Sequence, residues 1–431
     1  MKKIGVGILG FGTVGAGVAA GLIKNREVMT ERTGIDIELR KIADLDITTD
    51  RGVAVDPAIL TTDAFAVVND PEIDVVVELI GGTGIAKKLV VAAIEAGKPV
   101  VTANKKLLAE YGNEIFPLAA EKGVDIFFGA SVGGGIPVIR SLRDGLVGNE
   151  IETIYGILNG TCNYILTTME KEGLPFDVVL KNAQELGFAE ADPTLDVDGF
   201  DTLHKGAILA ALAYGIQPDV HQLSVEGIRN KVEAEDIKYA AEFGYKIKLL
   251  AIIKKHEDEI ELRVAPTLVP ADGMLASVSG VFNAALIKSD LDDKTLYYGR
   301  GAGRMPTAST VIGDIADVAR NLAAGTHRAT AMPVTKREFK LMDPGSVKSR
   351  YYVRVSIKDA AGSFATTAGI FAKNAVSFSA AMQKDSDSSN GFATVIIITH
   401  ETSKASMDAT LKEIAENAIS GAAPICLGIE D

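Results

Sequence analysis

Only two cysteines, Cys162 and Cys426, occur in 431 residues. A disulfide framework is not expected, and a reducing compartment fits. Five histidines, His204, His221, His256, His327 and His400, stand at no ligand spacing to one another or to either cysteine, so a zinc site is not expected. No run approaches the ~18 apolar residues of a membrane span. The N-terminal MKKIGVGILGFG joins two lysines to apolar residues. Glycines interrupt it and no small-x-small cleavage site follows, so it reads as a first strand, not a leader. Basic charge is short: 44 Lys and Arg face 57 Asp and Glu, a formal net charge of -13. Nucleic acid and anionic membranes both need a basic patch, so neither is expected as a partner, and a cytoplasmic location is. There are no tandem repeats, and the one low-complexity piece, DSDSSNG at 385–391, reads as a hairpin turn.

What is present is ordinary for a soluble globular chain: 47% hydrophobic and 23% charged residues, with length for two to four domains. The first third alternates apolar β-rich runs (4–10, 37–44, 75–79, 99–103, 124–130) with helical stretches (14–25, 86–96, 107–121). That pattern predicts a parallel sheet covered on both faces. The middle third reads as a strand running into a Gly/Asn turn at 150–161, helices at 163–173, 176–187 and 202–215, a polar loop at 191–201, and antiparallel strands at 245–255 and 260–269. A Gly-rich loop at 296–309 precedes a helix at 310–322. After a polar linker, strand 351–359, helix 362–374, strands near 376–382 and 393–400, helix 404–418 and a closing strand make a βαββαβ unit of about 80 residues, the size of a separate small domain.

Gly10-Phe11-Gly12-Thr13-Val14-Gly15 fits G-x-G-x-x-G. It follows a strand and opens a helix, where the glycines allow a tight turn and bring backbone N–H groups to a dinucleotide pyrophosphate. Asp44 ends the second strand, where an acid bonds the adenosine ribose and favours NAD; Arg40, Lys41 and Arg51 nearby suit the 2'-phosphate of NADP. Lys105 follows Thr102-Ala103-Asn104 at the C-terminal end of the fourth strand, where ligands of open parallel sheets bind, although a solvated loop lysine beside Lys106 has the same spelling. Glu190, Asp192, Asp196, Asp198 and Asp201 cluster before Lys205. Asp201 and Lys205 are four apart on one helix face, which is either an ion pair worth ~0.2–0.5 kcal/mol or an acid-assisted proton carrier. The helix is otherwise apolar, and a buried lysine can lose its proton well below pH ~10.4 and exchange it with an alcohol.

These segments, with VVELIGG (76–82), AGKPVVTANKKLLAEYG (96–112), ASVGGGIPVIRSL (130–142), GILNGTCNYIL (156–166), ELGFAEADPTLDVDGFDTLHK (185–205) and GRGAGRMPTAS (299–309), resemble the homoserine dehydrogenases in order and spacing. The C-terminal part resembles an ACT domain, with Asp359, Gly362 and Gln383…Thr399-His400. The resemblance implies interconversion of L-homoserine and L-aspartate 4-semialdehyde with NAD or NADP, a step toward threonine, methionine and isoleucine. It implies Lys205 as general acid/base, Lys105 assisting at substrate and nicotinamide, and Glu190, Asp196 and Asp201 orienting the substrate ammonium. It puts Gly187 and Gly303 along the cofactor, a homo-oligomer (dimer or tetramer) as the assembly, and L-threonine as the effector at the ACT domain. The family's structural sodium ion uses backbone carbonyls, here those of Val132, Gly134 and Ile136, with a glutamate whose place is taken by Gly129. Strong sodium binding is therefore not expected. Cys162 stands where threonine is usual, and Ala361 where the ACT signature has proline. The expected fold class is α/β: a Rossmann-type doubly wound sheet (1–135, completed by a helix at 304–330), an α+β catalytic and dimerisation domain (136–303), a linker (331–349) and a βαββαβ ACT domain (350–431). The rivals are another ACT-bearing amino- or hydroxy-acid dehydrogenase and a non-catalytic amino-acid sensor.

Overall fold

The computed structural model describes residues 1–327, 338–383 and 391–431. The final residues of the helix expected to reach 330, the start of the linker and most of the 385–391 turn lie outside the described residues.

In chain order the first third forms β1 (Lys2–Leu9), α1 (Thr13–Lys24), α2 (Arg26–Thr33), β2 (Ile35–Ala43), β3 (Leu60–Thr61), α3 (Phe65–Val68), β4 (Val75–Glu78), α4 (Gly84–Glu95), β5 (Val100–Thr102), α5 (Lys105–Lys122) and β6 (Ile126–Phe127). The middle forms α6 (Val138–Arg140), β7 (Ile151–Ile157), α7 (Gly160–Glu172), α8 (Phe176–Glu185), α9 (Thr194–Val197), α10 (Phe200–Tyr214), β8 (Ser224–Val225), α11 (Ala234–Glu242), β9 (Tyr245–His256), β10 (Glu259–Pro270), β11 (Phe282–Ser289), β12 (Asp293–Arg300) and α12 (Arg304–Ala324). The last part forms β13 (Lys340–Leu341), β14 (Lys348–Lys358), α13 (Ser363–Lys373), β15 (Phe378–Gln383), β16 (Phe392–Thr399), β17 (Thr402–Ser403), α14 (Lys404–Glu416) and β18 (Ile425–Ile429). Two compact units result: 1–151 with 204–222 and 283–338, and 152–203 with 223–282 and 339–431.

In the first unit, six parallel strands run in the order β3-β2-β1-β4-β5-β6. The order reverses between β1 and β4, and in such sheets the crevice at the carboxyl ends of those strands takes the ligand. The strands read as apolar runs because both faces are covered: Val6, Ile8, Val75, Val77 and Val101 are fully buried, each contributing ~1.5–3 kcal/mol. Helix α12 returns to this sheet and lies against α1, with Val311, Ile315 and Val318 in the same core. The close approach depends on Gly17, where a Cβ would come within 2.8 Å of the Arg304 carbonyl oxygen.

In the second unit, β9 pairs antiparallel with β7 and β10. The C-terminal strands follow in the order β18-β14-β16-β15, and α13 and α14 bury Ile370, Phe371, Met407 and Ile414 against Tyr351, Val353 and Val355 of β14. Alternate residues of β14 face the other way onto α11: the Tyr352 hydroxyl donates to Asp236 at 3.0 Å and Arg354 binds the same carboxylate at 2.6 Å. One edge of β10 is covered piecemeal by three short parallel partners, β13, β8 and β18. A buried network ties the chain end in: Arg263 binds Glu261 at 2.7 Å and Glu430 at 2.6 Å, and Glu430 also takes Lys254 at 2.6 Å and the Tyr155 hydroxyl at 2.8 Å.

Several local readings change. The Gly-rich stretch 296–309 is not one loop: β12 runs through Leu296, Tyr297 and Tyr298 to Arg300 beside β11, and α12 begins at Arg304 instead of 310. Pro306 sits in the helix's first turn, where no N–H is needed, so it does not delay the start. The polar loop 191–201 contains the single turn α9 and the start of α10. Helix α2 has no sequence signature because Met29 is its only buried residue.

Candidate active site

The segment from β1 into α1 is shaped by its glycines. Gly10 has φ +100°, in the region L side chains avoid, and a Cβ on Gly15 would fall 1.9 Å from the Gly10 carbonyl oxygen. Gly12, the α1 N-cap, is different: a Cβ there would meet no protein atom within 4 Å. Its bareness answers to nothing in the protein and leaves open space over the first N–H groups of α1, formed by Thr13, Val14 and Gly15. That cradle fits a dinucleotide pyrophosphate.

Asp44, just past β2, accepts a short hydrogen bond from the Phe11 N–H through Oδ2 and another from the Asp46 N–H at 2.9 Å through Oδ1. It holds the glycine loop from the side where an adenosine ribose lies in such folds. Arg40 is committed within β2 to Glu38 at 2.9 Å, and Arg51 to Asp46 at 3.0 Å. Gly303 caps α12 at φ +120°.

Two residues that sequence reasoning passed over organise the carboxyl ends of β4 and β5. Glu78 is fully buried. Its Oε1 accepts from Ile80 N at 2.9 Å and Gly81 N at 3.1 Å, and its Oε2 from the Thr102 hydroxyl at 2.7 Å. Asn104 caps α5 by accepting from Leu107 N at 3.1 Å and donates to the Gly82 carbonyl at 2.7 Å. Lys105 is therefore the first residue of α5, half-buried at a strand end, and not a loop lysine. The buried acid within VVELIGG and the N-cap spelling of N-K-K-L were the available signals.

The acidic cluster separates into distinct duties. Asp192 accepts from Thr194 N at 3.1 Å, and Asp198 pairs with Arg229 at 3.2 Å. Glu190 is exposed, and Gly187 ends the α8 region at φ +74° with open space beside it. Asp196 and Asp201 are brought together by Asn159, another residue given no role from sequence. Its Nδ2 donates to Asp196 at 2.7 Å and to Asp201 at 2.9 Å, while its Oδ1 caps α7 at Cys162 N, 2.8 Å away. The Cys162 thiol is fully buried against the Asp196 carbonyl at 3.2 Å, a packing role and not a nucleophile's. Helix α10 carries Asp201 and, one turn later, Lys205; they are only 5% and 8% exposed.

The carbonyl positions expected for sodium lie in a buried turn. The Ile136 carbonyl accepts from Val138 N at 2.8 Å, and a Cβ on Gly134 would come within 2.5 Å of the Gly301 carbonyl oxygen. Val132 is fully buried. Gly129 makes room for Asp314, whose carboxylate oxygens lie 2.9 and 3.0 Å from where a Cβ would be and accept the Gly129 N–H at 2.8 Å. Burial pushes the Asp314 carboxyl up to about 7 despite that hydrogen bond. Among the described residues no group of three or more His, Cys, Asp or Glu is arranged to hold a metal ion. This donor set lacks a firmly anionic ligand and does not fit a resident ion. No described helix is long and apolar enough to cross a membrane.

Comparison with known proteins agrees with the geometry. Residues 10–129 match the family model described as homoserine dehydrogenase, NAD binding domain, and residues 137–316 the model described as homoserine dehydrogenase. A homoserine dehydrogenase of Neisseria gonorrhoeae is 47% identical over 406 residues, 93% of each chain. The crystal structure of a homoserine dehydrogenase from Thiobacillus denitrificans superposes with a TM-score of 0.94 at 43% identity, covering 100% of this chain and 99% of that one. A hyperthermophilic archaeal homoserine dehydrogenase in complex with NADPH matches with a TM-score of 0.62 at 28% identity, over 76% of this chain and 100% of that one.

Proposed function

The chain belongs to the homoserine dehydrogenase family of nicotinamide-dependent oxidoreductases, and on that premise we propose how its residues divide the oxidation of L-homoserine to L-aspartate 4-semialdehyde. Lys205 is the proton carrier. A nicotinamide cofactor held at the Gly10–Gly15 loop would supply the hydride acceptor for the carbon that bears the substrate hydroxyl. The Lys205 amine takes the hydroxyl proton as the aldehyde forms, and returns it in the reverse direction. Asp196 and Asp201, held as a pair by Asn159, answer the substrate ammonium, and Glu190 joins them from the exposed loop. Lys105 assists at the substrate oxygen and the nicotinamide. The carrying observation is the burial of Lys205 on α10, one turn beyond Asp201. A lysine so shielded exchanges its proton with a bound reactant, not bulk water. Turnover and cofactor affinity of Lys205→Ala, measured together, test this: turnover collapses while the cofactor still binds.

NAD is the preferred cofactor. Asp44 puts an acid at the ribose end of the loop, and both nearby arginines are occupied by acids of their own. Residues 350–431 serve as an ACT module for L-threonine in a cytoplasmic homo-oligomer. The order β14-α13-β15-β16-α14-β18, with only the two-residue β17 added before α14, supports the ACT reading.

A further inference from the structure

Glu78 closes β4 beside the point where the strand order of the parallel sheet reverses. Leu9 of β1 is its register partner. The carbonyl oxygen of the next residue, Leu79, lies 2.7 Å from where a Cβ on Gly10 would be, so the chain leaving Glu78 abuts the glycine loop.

Two features of this strand end belong together. The first is a buried charge answered only by dipoles. Glu78 is fully buried, and among the described residues no lysine or arginine pairs with it. The N–H groups of Ile80 and Gly81 and the Thr102 hydroxyl donate to it, and the Asn104 side-chain nitrogen stands 3.5 Å from Oε1. Thr102 Oγ1 itself accepts the Asn104 N–H at 3.0 Å, which leaves its hydrogen for Glu78. Partners that only donate suit an ionised carboxylate, which only accepts. Such bonds satisfy the group without neutralising it. The fully buried Val76, Val77, Val100 and Val101 around it screen the remaining negative field little. The second feature is room for a ligand. Gly81 and Gly82 stand at φ +82° and +67°, and a Cβ on either would meet no protein atom within 4 Å. Ile80, next to them, is 41% exposed.

We propose that Glu78 is a positioning residue that sorts the bound nicotinamide by oxidation state. The oxidised ring is a cation and the reduced ring is neutral. A fixed negative charge at the crevice therefore holds the oxidised cofactor more tightly and releases the reduced one more readily. The same carboxylate fixes the Ile80–Gly82 loop on one side. Through Thr102 and Asn104 it fixes the start of α5, where Lys105 stands, on the other. The inference rests on reading this crevice as the nicotinamide site.

Isothermal titration of the full chain with NAD and NADH, and in parallel with NADP and NADPH, tests it. Glu78→Gln keeps the side-chain shape and removes the charge. Its Kd for the oxidised cofactor is expected to rise about tenfold while that for the reduced cofactor stays near the wild-type value. Glu78→Asp keeps the charge, so its ratio of the two constants stays near that of the wild type even where both affinities fall. A melting transition for each variant checks that it folds. If Glu78→Gln does not fold, Ile80→Lys on the exposed side of the same loop decides, and its added cation shifts the ratio toward the reduced form. A ratio that does not move in the deciding variant overturns the proposal, including the case in which both forms weaken alike. Wild type that binds neither cofactor pair overturns the reading of the crevice itself, and the proposal with it.

Discussion

Asn159 donates to Asp201 at 2.9 Å and to Asp196 at 2.7 Å from the same side-chain nitrogen. One amide thus holds two carboxylates that would otherwise repel, and does so from the N-cap of α7. Asn159→Asp keeps the cap acceptor but replaces the shared donor with a third acid. For this variant kcat/KM for L-homoserine is expected to fall about 10- to 100-fold, as for loss of hydrogen bonds to charged groups. Cofactor affinity changes little, while the melting temperature falls because three acids now crowd one buried site. Steady-state kinetics with cofactor titration check it; an unchanged kcat/KM contradicts the role of the pair.

Asp44 anchors the glycine loop through Phe11. Asp44→Ala is expected to lower kcat/KM with NAD more than with NADP, shifting the ratio toward NADP by about tenfold, the size of one charge-assisted hydrogen bond. Kinetics with both cofactors read it directly, and a constant ratio refutes the assignment.

Arg263 is the only cation within 4 Å of both Glu261 and Glu430 among the described ion pairs. Burial raises the Glu261 carboxyl, but Arg263 and Lys254 outweigh it and hold the group below its ordinary value. Arg263→Met takes the nearest cation from buried Glu261 and leaves Glu430 to Lys254 alone, and should cost about 3–5 kcal/mol at neutral pH. A depressed carboxyl stabilises the fold above its unfolded value near ~4.3, and that contribution fades as pH falls toward the folded value. The gap between wild type and variant in urea unfolding should therefore hold down to about pH 4.3 and narrow below it.

Lys248 is buried on β9, donating to the Val278 carbonyl at 2.6 Å, and burial lowers its ammonium to about 8, with Glu170 pulling weakly the other way. The unfolded chain holds that proton up to about 10.4, so between pH 8 and 10 the unfolded state binds more protons and stability rises with pH. Relative to Lys248→Met, the wild type should gain about 1–3 kcal/mol over that range. A pH-independent difference in unfolding free energy contradicts it.

The parallel sheet was legible because its strands are continuous apolar runs and G-x-G-x-x-G opens its first helix. The burial of Lys205 was legible from a lone lysine in an apolar helix. The gaps have physical causes. Glu78, Asn104 and Asn159 act through hydrogen bonds to backbone and to distant acids, and no periodicity reports such partners. Strand β12 was hidden because glycine and tyrosine in LYYGR read as a turn until β11 lay beside it. Asp314 reaching the space beside Gly129 joins residues 185 apart, which spacing arguments do not see.

Lys205 is the proposed proton carrier. Its most direct test is single-turnover formation of reduced nicotinamide, followed by absorbance, from L-homoserine with wild type and with Lys205→Ala, beside the cofactor affinity of both. The variant is expected to bind cofactor as the wild type does while its hydride-transfer rate falls by a factor of about 10²–10⁴, the range for loss of a general acid/base. A variant that transfers hydride at near the wild-type rate would contradict it.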